Sequence, residues 1–500
     1  MFSSYSSPRL HRRQFLSNSG TCAATVALSQ LLSADGLLAD EDAASVRPRP
    51  TDTLFDTALI DPARPLLPRP SHFRPRAQRL LVIFCNGGLS QVDSWDFKPE
   101  LIKRHDKPHP ETGKLVLFQS TAGALKKSYY PFRPRGEAGK MVTDLLPRLA
   151  ELADWKCFLH AMVARSNSHG PAEIQMGTGS VTDGFPSAGA WVSYALGSEN
   201  ENLPAFVSMP DARGGSQAGA NIWGSGFLPA SFQGTKLSST HPVQNLRSPE
   251  GMSRAADRAA RDLLGRLNES HLARDPSNSE LRGRIASYEL AAKMQLSVPE
   301  LMSLNTESPE TIKQYGADSR NEHKSAYAKN CILARRLLER GVRVVQLING
   351  TNELGTGNGN WDGHTELVKQ YKVHAEIFDQ PTAALLIDMK QRGLLDDTLV
   401  LWLTEFGRMP MFQGGSTGRD HNPYGFTIWM MGAGVKAPYS FGSTDEFGFR
   451  AVENVTSIAD MYATVLHMMG LNHRRLAYRR NGTMHHLSDP DGKVIEQILA

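Results

Sequence analysis

Cysteine is nearly absent, with four in 500 residues. That excludes a disulfide scaffold: beyond the first forty residues only Cys85, Cys157 and Cys331 remain, enough for one intrachain bridge at most. Long apolar runs are missing too. The N-terminal run Thr21 to Leu32 is about 12 residues, against the roughly 20 that a spanning helix needs, and no later run reaches that length, so no membrane span is expected. Excess charge of one sign is also lacking. Lys+Arg 55 against Asp+Glu 51 gives a net charge of +4 with no long basic tract, which argues against a nucleic-acid partner. What remains is 40% hydrophobic and 21% charged residues with 43 Gly and 29 Pro, the composition of a loop-rich globular protein. At this length it needs one large α/β domain or two domains.

Ahead of the apolar run stands His11-Arg12-Arg13-Gln14-Phe15-Leu16, a pattern that resembles the twin-arginine export signal of bacteria. Residues 1–40 therefore read as a signal peptide and 41–76 as an extended, proline-rich lead-in. The expected location is periplasmic or extracellular. The twin-arginine route carries folded proteins, often with a metal installed, which favours a metalloprotein. Residues 77–490 read as the folded domain, with a charged helical excursion at about 250–320.

Within that domain, apolar runs alternate with helix-length segments. Strands are expected at Arg79–Cys85, Cys157–Val163, Ala205–Met209, Val342–Ile348, Thr398–Leu403 and Phe426–Met431. Helices are expected at Met141–Leu152 with a break at Pro147, Pro171–Gly177, Ala188–Leu196, Ser325–Arg340, Thr365–Arg392 with an interruption at Pro381, and Val455–Met469. This alternation predicts an α/β fold: a doubly wound, mainly parallel sheet with helices on both faces. In such sheets ligands bind beyond the carboxyl ends of the strands.

The unusual polar residues fall there. Asp93 and Asp96 follow the first strand, and Ser168, His169 and Glu173 follow the second. Asp362 and His364 follow Val342–Ile348, while Glu405 and Arg408 directly follow Thr398–Leu403. Arg419, Asp420 and His421 come shortly after. Mixed imidazole and carboxylate ligands suit zinc or manganese, whereas an oxygen-only set would suit calcium or magnesium. The metal ligands expected are Asp93, Asp362, His364, Glu405, Asp420 and His421. Arg408 or Arg419 would hold a tetrahedral anion through forked donors.

Arg12-Arg13, Gly87-Gly88-Leu89-Ser90 with Asp93, His169-Gly170-Pro171, Trp361-Asp362-Gly363-His364, Thr404-Glu405-Phe406-Gly407-Arg408 and Gly418-Arg419-Asp420-His421-Asn422-Pro423 together resemble the bacterial family of proteins of unknown function 1501. That family is similar to the alkaline phosphatase and sulfatase superfamily, which implies an alkaline phosphatase-like sheet and a metal-centred site. The resemblance puts Glu405 at an acidic ligand position, His421 at the late histidine ligand, and Asp362 with His364 at the Asp-and-His pair. It puts His169 at the nucleophile position, with Ser168 as the adjacent alternative. Asn86 stands where the first acidic ligand would be, with Asp93 as its replacement. Phe406 stands where a ligand would be and cannot act as one. The sulfatase pattern of Cys or Ser, x, Pro, Ser, Arg is absent, so no formylglycine can form.

The leading expectation is an exported, metal-dependent hydrolase of phosphate or sulfate esters, including those on saccharides. Its cofactor would be one or more divalent ions: zinc, or manganese or calcium. The alternatives are a non-catalytic, metal-containing protein that binds a polysaccharide or a protein partner, and a domain that uses the ion for stability alone.

Overall fold

Arg79–Cys85 (β1) sends Leu81, Ile83 and Cys85 into one buried cluster and Leu80 and Phe84 into another. Successive strand side chains point to opposite faces, so a strand apolar at nearly every position has to be covered on both. Each such side chain contributes roughly 1.5–3 kcal/mol when fully buried. The computed structural model describes residues 60–500 apart from 62–63, 115–117, 119–120, 241–252, 352–358 and most of 277–299. The twin-arginine segment and residues 41–59 lie outside the described residues.

The other sheet strands are β2 (Cys157–Val163), β3 (Phe206–Met209), β4 (Thr235–Lys236), β5 (Val344–Asn349), β6 (Thr398–Leu403), β7 (Phe426–Met431), β8 (Tyr439–Phe441) and β9 (Thr456–Ser457). They lie in the order β8-β2-β7-β6-β1-β5-β3-β4, with β9 also against β2. Paired neighbours are parallel except those of β7, which runs antiparallel between β2 and β6. The longer helices are α1 (His169–Thr178), α2 (Ala188–Leu196), α3 (Arg254–Arg274), α4 (Glu322–Glu339), α5 (Leu367–Gln391) and α6 (Ile458–Met468). Leu333 and Leu337 of α4 and Phe378 and Leu385 of α5 close one face. Trp191 and Tyr194 of α2 and Met461 and Leu466 of α6 close the other. The fold is therefore the expected α/β class, a mainly parallel sheet with helices on both faces.

Local departures have local causes. Lys140–Thr143 is a strand paired with Phe132–Arg135, and helix begins only at Pro147, whose missing N–H is harmless at the first helical position. Pro381 does not interrupt α5, which runs through it with the proline buried. Ser457 caps α6 with Asp460 in a reciprocal capping box, so that helix starts later than its apolar period suggested. Cys85, Cys157 and Cys331 are free and buried. Among the described residues no helix is long and apolar enough to cross a membrane.

Candidate metal centre

The antiparallel β7 explains how five distant segments meet. The parallel strands β1, β2, β5 and β6 deliver Asn86–Gly88, His169, Asp362–His364 and Glu405–Arg408 from their carboxyl ends. Because β7 runs the other way, the residues before it, including His421, reach that same edge. Gly87 is required where the segments touch: its φ is +106°, and a Cβ there would sit 2.5 Å from the backbone nitrogen of Trp361.

His169, Asp362, His364 and His421 are all buried, and one ligand atom from each lies within 4.8 Å of all the others. Asp362 Oδ1 is the point of convergence. It lies 3.3 Å from His169 Nε2, 2.9 Å from His364 Nε2 and 3.2 Å from His421 Nε2. The far nitrogen of each imidazole faces an acceptor: Glu405 Oε1 at 2.6 Å for His169, Gln413 Oε1 at 2.5 Å for His364, and the Asn167 carbonyl at 2.6 Å for His421. A hydrogen on each Nδ1 satisfies these acceptors and leaves the Nε2 lone pair of each ring free to face inward. His364 Nε2 and His421 Nε2 face each other at 2.8 Å, and His169 Nε2 has no hydrogen-bond partner of good geometry. Three nitrogen lone pairs and a carboxylate oxygen thus point at one another, an arrangement that calls for a cation. Three imidazoles and one carboxylate fit a borderline divalent ion such as zinc.

Without an ion, a proton takes that role. Burial disfavours charge on His169, but the Asp362 oxygen facing its Nε2, the Glu405 hydrogen bond at its Nδ1 and the negative charges of both outweigh it and push its pKa up to about 9. Burial also disfavours charge on Asp362, yet the Arg408 guanidinium and the three histidines hold its carboxyl far below the ordinary range. Burial and the Arg408 charge push His421 well below its ordinary value. In the ion-free protein the His169 charge therefore contributes stability that is complete below pH 6.5 and lost as pH rises through about 9. An ion must displace that proton. Loading zinc near neutral pH is expected to release about one proton, measurable as a calorimetric heat that scales with buffer ionisation enthalpy. A heat independent of buffer would contradict this.

Glu405 stands behind His169. It accepts from His169 Nδ1 and, at 2.8 Å, from the Gly87 N–H on the same oxygen, which is how a carboxylate orients a metal-binding histidine. Glu405→Gln should weaken ion affinity roughly 10–100-fold while keeping the shape of the site, checked by competition with a chelating dye. Phe406 is not a ligand, as expected, but its ring packs against His169 and His421 with centroids at 4.8 and 4.5 Å. Phe118 also stacks on His421, with centroids at 4.7 Å.

Asp93 is not brought to this cluster. It is fully buried and pairs with Arg419, Nε to Oδ2 at 2.7 Å, while Ser90 Oγ and the Tyr129 N–H donate to the same carboxylate. Arg419 completes its donors on the carbonyls of Met409, Lys126 and Lys127. Arg408 is equally buried, with donors on the carbonyls of Gly88, Arg419 and Gly87 and on Asp362 Oδ1 at 2.5 Å. Neither guanidinium faces an open site, contrary to the anion-holding role expected of them, because backbone carbonyls at loop crossings take their donors. Asp420 accepts from the His421 and Phe118 N–H groups at 2.8 and 3.0 Å, so it shapes the loop carrying His421.

A second cluster shares His169 and adds Glu405 and Glu173. Burial and the Glu405 charge push the Glu173 carboxyl up to about 8, so it holds its proton near neutral pH. Asn86 suits a protonated neighbour: with its amide nitrogen on the carbonyls of Asn349 and Gly350, its oxygen faces Glu173. No role was expected for Glu173, although its place four residues after His169 puts both on one helix face. Gln413, 49 residues from His364 in sequence, carried no signal.

Fold and cluster together define an α/β protein with a buried donor set of metal-binding type. The chain belongs to the family of proteins of unknown function DUF1501, which it matches over residues 77–499. Solved structures similar to it include the lipoteichoic acid synthase LtaP from Listeria monocytogenes, with 9% identity, 87% of this chain and 80% of that chain covered, and a TM-score of 0.33. Another is the alkaline phosphatase of the Antarctic bacterium TAB5, at 10% identity, 79% and 98% coverage and a TM-score of 0.29. A third is the sulfatase PsFucS1 from Pseudoalteromonas sp., at 12%, 79% and 68%, with a TM-score of 0.33. No curated protein matches the sequence.

Proposed function

We propose that the chain is an exported, metal-dependent hydrolase of phosphate or sulfate esters, with saccharide esters among its substrates. The observation that carries this reading is the convergence of three imidazole Nε2 atoms on Asp362 Oδ1. His169, His364, His421 and Asp362 would hold the ion, which when bound lowers the pKa of a water and polarises an ester oxygen. Glu405 fixes the His169 tautomer, so His169 is a ligand here and not the nucleophile. Arg408 keeps Asp362 ionised, and Phe406 and Phe118 hold the His421 ring in place. Charge favours an anionic substrate. A divalent cation would outweigh the single charge of Asp362, which the Arg408 guanidinium already faces at 2.5 Å.

A panel of aryl and sugar phosphates and sulfates, assayed with chelated and with zinc- or manganese-reloaded protein, tests the proposal. Ion-dependent turnover of one ester class supports it. Stoichiometric ion with no turnover across the panel would favour the second reading, a non-catalytic metal-containing protein that binds a polysaccharide or protein partner. The observation behind that second reading is that Arg408 and Arg419, the cations expected to hold the anion, are engaged with protein acceptors.

A further inference from the structure

The metal-type cluster lies beyond the carboxyl end of β2, and the opposite end of that strand borders a separate cavity of about 220 Å³. Lys140, Phe158, Tyr439 and Ser440 line it, with Ala153 and Pro438 adding apolar wall. Lys140 Nζ lies 2.8 Å from His160 Nε2, 2.5 Å from Ser440 Oγ and 4.9 Å over the Phe158 ring. Both hydrogen-bond partners are neutral. His160 is buried, and burial together with the Lys140 and Lys98 charges pushes it well below its ordinary pKa. Since its Nε2 accepts from Lys140, its Nδ1–H is left to donate to Thr427 Oγ1 at 3.1 Å. Asp96, the acid whose charge reaches Lys140, is itself engaged by Lys98 at 3.1 Å and by the Thr444 hydroxyl. Burial accordingly pushes the Lys140 ammonium down to about 8, so that part of it is free amine near neutral pH. An amine beside apolar walls, without a carboxylate hydrogen-bonded to it, is set up as a nucleophile.

We propose that Lys140 is a reactive amine that captures small aldehydes bearing a short apolar tail as an imine within this cavity. The ammonium first loses a proton to solvent. The Nζ lone pair then attacks the carbonyl carbon, forming a C–N bond while the C=O π pair moves to oxygen and takes up a proton. The nitrogen, now cationic, gives up a proton to solvent to leave a neutral carbinolamine. The carbinolamine hydroxyl leaves as water after a second protonation, and the nitrogen lone pair closes the C=N bond. Net, ammonium and aldehyde give a protonated imine and water, with no oxidant or reductant involved. His160 Nε2 holds Nζ in orientation from the buried side, and the Ser440 hydroxyl, at the mouth, can donate to the departing oxygen. The aldehyde tail would pack against Phe158 and Tyr439.

The test is trapping of the full chain with butanal and cyanoborohydride near neutral pH, followed by peptide mass spectrometry. Lys140 should be labelled at least about tenfold faster than the exposed Lys369, whose amine pairs with the exposed Glu366. Ser440→Ala, a change at an exposed position, should slow Lys140 labelling several-fold and leave Lys369 unchanged. Labelling of Lys140 no faster than of Lys369 would overturn the proposal. So would suppression of Lys140 labelling by butyrate at a concentration equal to that of butanal, which would mark an anion pocket instead.

Discussion

Asp93→Ala should lower folding stability by about 3–5 kcal/mol, because removing one partner of a buried ion pair leaves the other charge uncompensated. Both Asp93 and Arg419 are fully buried, 326 residues apart in sequence, and Arg419 draws the carbonyls of Met409, Lys126 and Lys127 onto the same knot. Losing the carboxylate would also free Ser90 Oγ and the Tyr129 N–H from their acceptor. Ion content per folded molecule should stay at the wild-type level, since no Asp93 atom belongs to the convergent set. Urea denaturation alongside metal analysis of the folded fraction separates the two effects. If the variant kept wild-type stability and lost its ion, Asp93 would be a ligand after all.

Asp362→Ala should do both things at once. It removes the oxygen on which three imidazoles converge, so ion binding is expected to vanish. It also strips Arg408 of the carboxylate that faces it at 2.5 Å, which costs about 3–5 kcal/mol for a guanidinium with no exposure to water. Asp362→Asn separates these effects. The amide keeps an acceptor for Arg408 and much of the stability, yet it offers no negative charge to an ion among neutral rings. Equilibrium dialysis with zinc should then show ion loss in both variants and a large loss of stability in the alanine variant only.

The sheet was legible because its strands are apolar on both faces and end abruptly in polar loops, as at Leu403 followed by Thr404 and Glu405. The edge where the chemistry collects followed from the same pattern. Which polar residues meet there was only partly legible. Asp362, His364, His421 and His169 do come together, whereas Asp93, Asp420 and Arg419 share their loops but turn to other partners, and Arg408 joins the cluster only as the partner of Asp362. Residue type tells what a side chain can bond to, and only the crossing of loops decides what it meets: Arg419 meets Asp93 from the far end of the domain. Glu405 shows the finer case, since the strand delivers it to the right edge and the Gly87 N–H with His169 Nδ1 takes its oxygen. Nothing in one sequence told which carboxylate oxygen would face the three imidazoles.

Elemental analysis of the full chain, purified without added metal and again after zinc loading, addresses the central claim most directly when His364→Ala and His421→Ala are measured beside it. Wild-type protein should carry one tightly held divalent ion per chain, and each variant should hold at least tenfold less under the same dialysis, in line with the loss of one of four ligands (roughly 10-fold or more). Wild-type protein that binds no ion after loading, or variants that retain it in full, would contradict the account.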